Sequence, residues 1–231
     1  SYMPCFTVGH GAARGLAAAL GMPCHEFSHQ DGHIAAALYS AGRLSLLEKK
    51  FLAFHVSGGT TEAVLVHPEE GRKFSVRLVA SSLDLKAGQA IDRVGGLLGL
   101  PFPAGPALER LALASDASFR IHPSMKGADC SLSGIQNQCE ALVKKGTAKE
   151  YVALYCLLSV WAALDAMTAA LLEQYVDLPV LFAGGVMSNS ILKSRLSERY
   201  GAFFADPAFS ADNAAGVAVL AALSEGGEPM C

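Results

Sequence analysis

No C-x-x-C pair occurs among the six cysteines of this chain, Cys5, Cys24, Cys130, Cys139, Cys156 and Cys231. Zinc ribbons and dithiol redox centres need that spacing, so neither follows from these thiols. Their mostly apolar context reads as reduced, buried side chains of a cytoplasmic protein. Charge is scarce as well: Asp, Glu, Lys and Arg make up 17% of the residues and net to −3. A chain so balanced carries no overall field to attract nucleic acid. RNA would have to meet a local patch, and the two basic groups, Arg72, Lys73 and Arg77 and then Lys144, Lys145 and Lys149, read as solvated faces. The opening SYMPCFTVGHG lacks the basic-then-apolar order of an export signal. Ser1 in place of an initiator methionine reads as a processed, trimmed or partial chain.

What is present is apolar and glycine-rich: 52% hydrophobic residues, 23 Gly and 10 Pro in 231. That supports a sizeable core, in one unit or two small lobes. Tyr151 to Val176 is long and apolar enough to span a membrane, but Ser159, Asp165 and Thr168 interrupt it and no positive flank marks an inside end. A buried helix is expected there.

The chain is organised around FLAFHVSGGTTEAVLV, residues 51 to 66. Two β-branched and aromatic runs about a Ser57-Gly58-Gly59 turn predict a strand pair. Its glycines, with Ser57, Thr60 and Thr61, outline a phosphate seat, although an ordinary hairpin accounts for the same residues. Helical spacing covers 5 to 21, Cys24 to Phe27 reads as a short strand, and Gln30 to Ala41 as a second helix ending near Gly42. Beyond the hairpin come a strand at Lys73 to Val79, a helix at Ala87 to Leu98, a rigid Gly/Pro loop, and a helix at Ala107 to Ala114 with Pro106 in its first turn. Ser115 to Cys130, polar and poorly periodic, reads as an irregular connection between lobes or a surface excursion. Ser131 to Gly134 opens a helix whose N–H groups are available to an anion. The long helix leads into a buried strand, 178 to 183, and then Gly184-Gly185-Val186-Met187-Ser188-Asn189-Ser190 opens helix 191 to 199. A strand running into Gly-Gly and a Ser/Asn-capped helix is a second phosphate or ribose seat. A short strand at 202 to 205 and a helix at 214 to 223 finish the pattern.

His29 and His33 stand at i and i+4, one face of the second helix, close enough to share a metal ion, although two partly exposed histidines near a helix start account for the same pattern. Gln30 occupies the position of the glutamate in H-E-x-x-H and cannot act as a general base, which weakens a metallopeptidase reading. Asp31 between them reads as a surface or first-turn acid. Asp212, ahead of the last helix, fits either a helix cap or a metal's carboxylate ligand.

Taken in order, FSHQDGH, HVSGGTTE, AGQAIDRVGGLLGLPFPAGPALE, SLSGIQNQ, LFAGGVMSNSILKSRL and SADNAAGVAVLAAL resemble the TsaD family from about Ser1 to Leu223. The family comprises tRNA threonylcarbamoyladenosine synthases, once labelled O-sialoglycoprotein endopeptidases, of the actin-like ATPase superfamily. The resemblance implies an α/β, actin-like ATPase (ribonuclease H-like) fold with an incomplete first lobe, residues 1–114 being the remainder of that lobe and 115–231 forming a second. It implies a divalent metal, iron or zinc, on His29, His33 and Asp212. Adenylate contacts are implied at Val56, Ser57, Gly58, Gly59 and Thr60, at Asp92, at Gly105 and at Asn189. The implied reaction moves a threonylcarbamoyl group from its mixed anhydride with AMP, an ATP/AMP-type nucleotide, to N6 of adenosine in tRNA. The implied partners are the proteins of the threonylcarbamoylation system, in a multiprotein complex on tRNA, with room for a homo-oligomer and no membrane. Where the family usually reads S-G-G-H-T-Q, this chain has Ser57-Gly58-Gly59-Thr60-Thr61-Glu62, which sets a carboxylate beside a site meant for anions. A paralogue that kept the metal residues as a non-catalytic scaffold is the alternative.

Overall fold

The structure, a computed structural model, describes residues 3–70, 72–209 and 214–226. The apolar run before the glycine turn forms β1 (Phe51–Val56) and the run after it forms β2 (Thr61–Glu69). They pair antiparallel with Val56 opposite Thr61 and His55 opposite Glu62, the register set by the turn between them. β3 (Arg72–Ser81) extends the meander, β4 (Ser124–Lys126) and β5 (Asp129–Ser131) form a separate hairpin, and β6 (Val180–Ala183) and β7 (Phe203–Phe204) return to the main sheet. The sheet order is β3-β2-β1-β6-β7, antiparallel up to β1 and parallel from there on. Strands from before and after residue 115 therefore share one sheet.

Eight helices surround it among the described residues: α1 (Met3–Leu20), α2 (His29–Ser40), α3 (Ala87–Leu97), α4 (Gly105–Ala112), α5 (Ser133–Lys144), α6 (Lys149–Gln174), α7 (Ser190–Tyr200) and α8 (Ala215–Ser224). Successive β1 side chains point to opposite faces of the sheet. Phe51 and Ala53 join Ile34 and Leu38 of α2 and Leu220 of α8 in one core, while Leu52, Phe54 and Val56 join Val94 of α3 and Leu157 and Leu164 of α6 in the other. α6 is buried as expected, and its polar interruptions are all satisfied. Ser159 and Thr168 each donate to the carbonyl four residues back at 2.7 Å, and Asp165 accepts from the Tyr200 hydroxyl at 2.8 Å and pairs with Arg199 at 3.0 Å.

α2 and α8 meet backbone to backbone. A Cβ added at Gly216 would lie 1.8 Å from the Gly32 carbonyl oxygen, so only glycine permits the approach. Ser28 and Asp31 close a reciprocal cap at the start of α2, with Asp31 N–H on Ser28 Oγ at 3.1 Å and Ser28 N–H on Asp31 Oδ2 at 2.9 Å.

Several expectations are corrected. Asp31 is a first-turn acid but a buried one, because its carboxylate turns inward onto the cap. Cys24 to Phe27 is not a strand: among the described residues it has no ladder partner, the sheet's edges being β3 and β7. Ser115 to Cys130 is not irregular throughout, since Gly127 at φ 62° turns the β4–β5 hairpin and brings Cys130 into the core. Cys130, Cys139 and Cys156 are buried, burial pushing the Cys130 thiol up to about 11, whereas Cys5 and Cys24 are exposed. Cys231 lies outside the described residues. α1 forms as expected yet buries none of its residues and exposes Met3, Val8, Leu16 and Leu20.

Candidate functional site

A cavity of about 500 Å³ opens between α2 and the sheet. Its floor follows from strand register, which aligns Glu62 of β2, His55 of β1 and Ala183 of β6 in one row on the face that α2 covers. Ala53 and Ala183 are small, and the space they leave is what α2 roofs over with His29, His33, Ile34 and Ala37. Ser57, Thr60 and Gly184 line one end.

The two α2 imidazoles converge there, Nε2 to Nε2 at 3.0 Å with ring centres 4.4 Å apart. His55 reaches them from the sheet, its ring centre 5.4 Å from that of His33, and Phe6 of α1 sets its ring edge-on to His29 at 5.1 Å. Among the described residues no group of three or more His, Cys, Asp or Glu is arranged to hold a metal ion. Asp212, the expected third ligand, lies outside the described residues.

The glycine turn is built rather than slack. Ser57 Oγ accepts from the N–H groups of Gly59 and Thr60 at 3.2 and 3.1 Å, and Ser57 N–H donates to the Thr60 carbonyl at 2.8 Å. α3 locks it from behind: Ala87 N–H donates to Thr61 Oγ1 at 2.8 Å and Gly88 N–H to the Ser57 carbonyl at 3.1 Å. A side chain at Gly88 would strike Gly58, at 2.7 Å. Three of the turn's N–H groups, those of Ser57, Gly59 and Thr60, are thus committed internally. Ser57 and Thr60 line the cavity, while Gly58 and Gly59 sit exposed on the turn and buried Val56 backs it, its carbonyl against Gly184.

The remaining expected residues gather elsewhere, on the α3–α4–α7 side. Asp92 accepts the Ala104 N–H at 2.8 Å, which fixes the loop before Gly105 at the start of α4. Asn189 is buried and caps α7, its Oδ1 accepting from Leu192 N–H at 3.1 Å. Glu109 of α4 ties the two together by accepting from the Ser190 N–H at 2.7 Å and from its hydroxyl. None of Asp92, Gly105 and Asn189 lines the cavity under α2.

The start of α5, read from sequence as open to an anion, already holds one from the chain itself. Asp84 accepts from Leu132 N–H at 2.7 Å, from the Ser133 hydroxyl at 2.6 Å and from Ser133 N–H at 3.3 Å. Partial burial opposes its ionisation, but the bonds from Ser133, Leu132 and Leu85 outweigh that and hold the carboxyl below its usual value. The folded state then binds fewer protons than the unfolded one, so the contribution is complete above the ordinary aspartate value near 3.9 and fades as pH falls through the depressed one. Replacing Asp84 by alanine is expected to cost about 1 kcal/mol in urea unfolding at pH 7, the scale of a lost helix cap, with the gap to wild type closing on acidification.

His55 and Glu62 were absent from the expected ligand set. The signal was available, because counting outward from the turn in steps of two places both on the face of Ala53, opposite one another.

The sheet order and crossovers define an α/β protein of actin-like ATPase (ribonuclease H-like) fold. Solved structures agree at the level of fold: full-length HypF superposes with a TM-score of 0.66 at 17% identity over 93% of this chain and 38% of that one. Component A of (R)-2-hydroxyglutaryl-CoA dehydratase from Acidaminococcus fermentans gives 0.54 at 17% identity over 91% and 73%. The profile of the TsaD family, tRNA N6-adenosine threonylcarbamoyltransferase, matches residues 2–219, and the chain belongs to that family. Relatives so described include a protein of Thermus thermophilus, 35% identical over 93% of this chain and 65% of that one, and one of Polaromonas naphthalenivorans, 36% identical over 82% and 54%. The chain spans about half to two thirds of the length of these relatives.

Proposed function

We propose that this chain carries the transfer site of a tRNA N6-adenosine threonylcarbamoyltransferase, binding threonylcarbamoyl-AMP and passing its acyl group to N6 of an adenosine in tRNA. The supporting observation is the single cavity that receives the α2 imidazole pair, the Ser57–Thr60 turn and Gly184, in a chain of the TsaD family. In that reaction a bond forms from N6 to the carbonyl carbon, the bond from that carbon to phosphate oxygen breaks, and its electron pair leaves with AMP. The N6 proton passes to solvent.

The imidazoles fit a divalent ion, since nitrogens 3.0 Å apart on one helix face match two ligands of one centre at about 2.0–2.1 Å each. His29 and His33, with Asp212 as third ligand, would hold iron or zinc, which when bound supplies Lewis-acid polarisation of the carbamoyl carbonyl. The chain's own contribution is positioning. The Ser57–Thr60 turn, held from both sides, presents its hydroxyls in a fixed place. Ile34, Val64 and Leu181 wall the cavity with apolar surface and limit water. The frame of Asp92, Gly105 and Asn189 gives the adenylate a rigid bed across the strand ends, a reading in keeping with HypF, which was solved in a phosphate- and nucleotide-bound form. No Lys or Arg lines the cavity among the described residues, so partner proteins of the threonylcarbamoylation system would bring the tRNA, in the cytoplasm.

The test is direct. The chain, supplied with such partners, tRNA and threonylcarbamoyl-AMP labelled in the acyl group, should yield N6-modified adenosine by mass spectrometry of digested tRNA. Absence of both transfer and saturable adenylate binding would overturn the reading.

A further inference from the structure

Glu62 is a carboxylate on the floor of a cavity proposed to receive phosphate. Strand register sets it directly opposite His55, on the face that α2 covers. Its backbone lies in a strand whose neighbours Thr61 and Ala63 are fully buried, so strand alternation keeps its side chain on the cavity face. Against it stand three imidazoles, His29, His33 and His55, and among the described lining residues no lysine or arginine. Such a carboxylate penalises each further negative charge on a bound phosphate, because it acts across a partly water-excluded space. A divalent ion on His29 and His33 would add the same attraction with or without the Glu62 charge and so leaves that difference in place.

We infer that Glu62 is a specificity-determining residue that sorts ligands by phosphate charge, favouring an acyl-adenylate over AMP, ADP or ATP. The inference rests on the carbamoyl-transfer reading and adds a role to the same site. The phosphate of a mixed anhydride carries one negative charge, whereas a terminal phosphate carries about −1.5 to −2 at pH 7. When the carbonyl carbon–oxygen bond breaks and its electron pair leaves on phosphate, the product becomes the more repelled species, so Glu62 helps to clear AMP from the site.

The experiment compares wild type with Glu62→Gln in the full chain, by calorimetric titration of adenosine, AMP, ADP and ATP. The amide keeps the shape and removes the charge. Adenosine should bind both proteins alike, which also reports on folding. AMP should tighten in the variant by about three- to tenfold and ADP and ATP by more, the step expected for removing one nearby like charge at intermediate dielectric. Equal ratios of AMP, ADP and ATP affinity in the two proteins would overturn the inference and leave the transfer reading standing. A parallel shift for adenosine would overturn it too, by making Glu62 a contact of the base or ribose. Wild type that binds none of the four would remove the transfer reading, and the inference with it.

Discussion

Replacing His33 by alanine is expected to lower threonylcarbamoyl transfer by about 100-fold or more and to abolish stoichiometric binding of zinc or iron. On the proposed reading, a two-imidazole anchor reduced to one would lose its chelate geometry, and the carbonyl polarisation that the ion would supply would go with it. His33 stands between two other rings, 4.4 Å from His29 and 5.4 Å from His55 by ring centre, so it is the member whose loss opens the cluster most. The comparison is with His122→Ala, an exposed position outside the cavity, which should keep both metal and rate. If His33→Ala retained its metal and turned over like wild type, the imidazole pair would be structural only.

The second large effect is expected at Gly184. Its backbone stands at φ 101°, ψ 156°, a region that essentially only glycine occupies. A Cβ there would meet the Val56 carbonyl oxygen at 2.4 Å and His55 Cδ2 at 2.9 Å. Strain and collision act together, because Val56 lies in the central strand and cannot retreat without disturbing its pairing with β2. Gly184→Ala should therefore destabilise by about 3–5 kcal/mol in urea unfolding. Gly185→Ala is the natural control, since a Cβ at Gly185 meets nothing within 4 Å, and it should cost under about 1 kcal/mol. Similar losses at both glycines would refute the steric account.

Gly184 also shows what a sequence can disclose. A strand running into Gly-Gly is visible as a pattern, and so is the hairpin, because both depend on local chemistry and a fixed turn register. The stretch Cys24 to Phe27 had residues suited to a strand but no neighbour to pair with, and pairing is a tertiary fact. The start of α5 looked vacant because its occupant, Asp84, lies 48 positions upstream of Leu132 and no local rule connects them. Asp92 and Asn189 were picked out as contacts for a nucleotide, and what the sequence did not disclose is that each also holds a loop or a helix start. A residue type suited to binding ligand N–H groups is equally suited to binding the chain's own. Glu62 was visible as a departure from the family's turn, but that it shares the cavity floor with His55 follows only from the strand register read outward from the turn.

The close crossing of α2 and α8 bears on how the molecule is made. α2, with the imidazoles, leaves the ribosome long before residue 215, yet its backbone rests at Gly32 directly against Gly216. During synthesis, domains assemble as their segments emerge, so the imidazole-bearing helix waits without its brace while the sheet and the opposite layer are laid down. On the proposed reading, competence for metal would thereby be a late event in the life of the nascent polypeptide, and a stalled or prematurely released product would carry the histidines on an unseated helix.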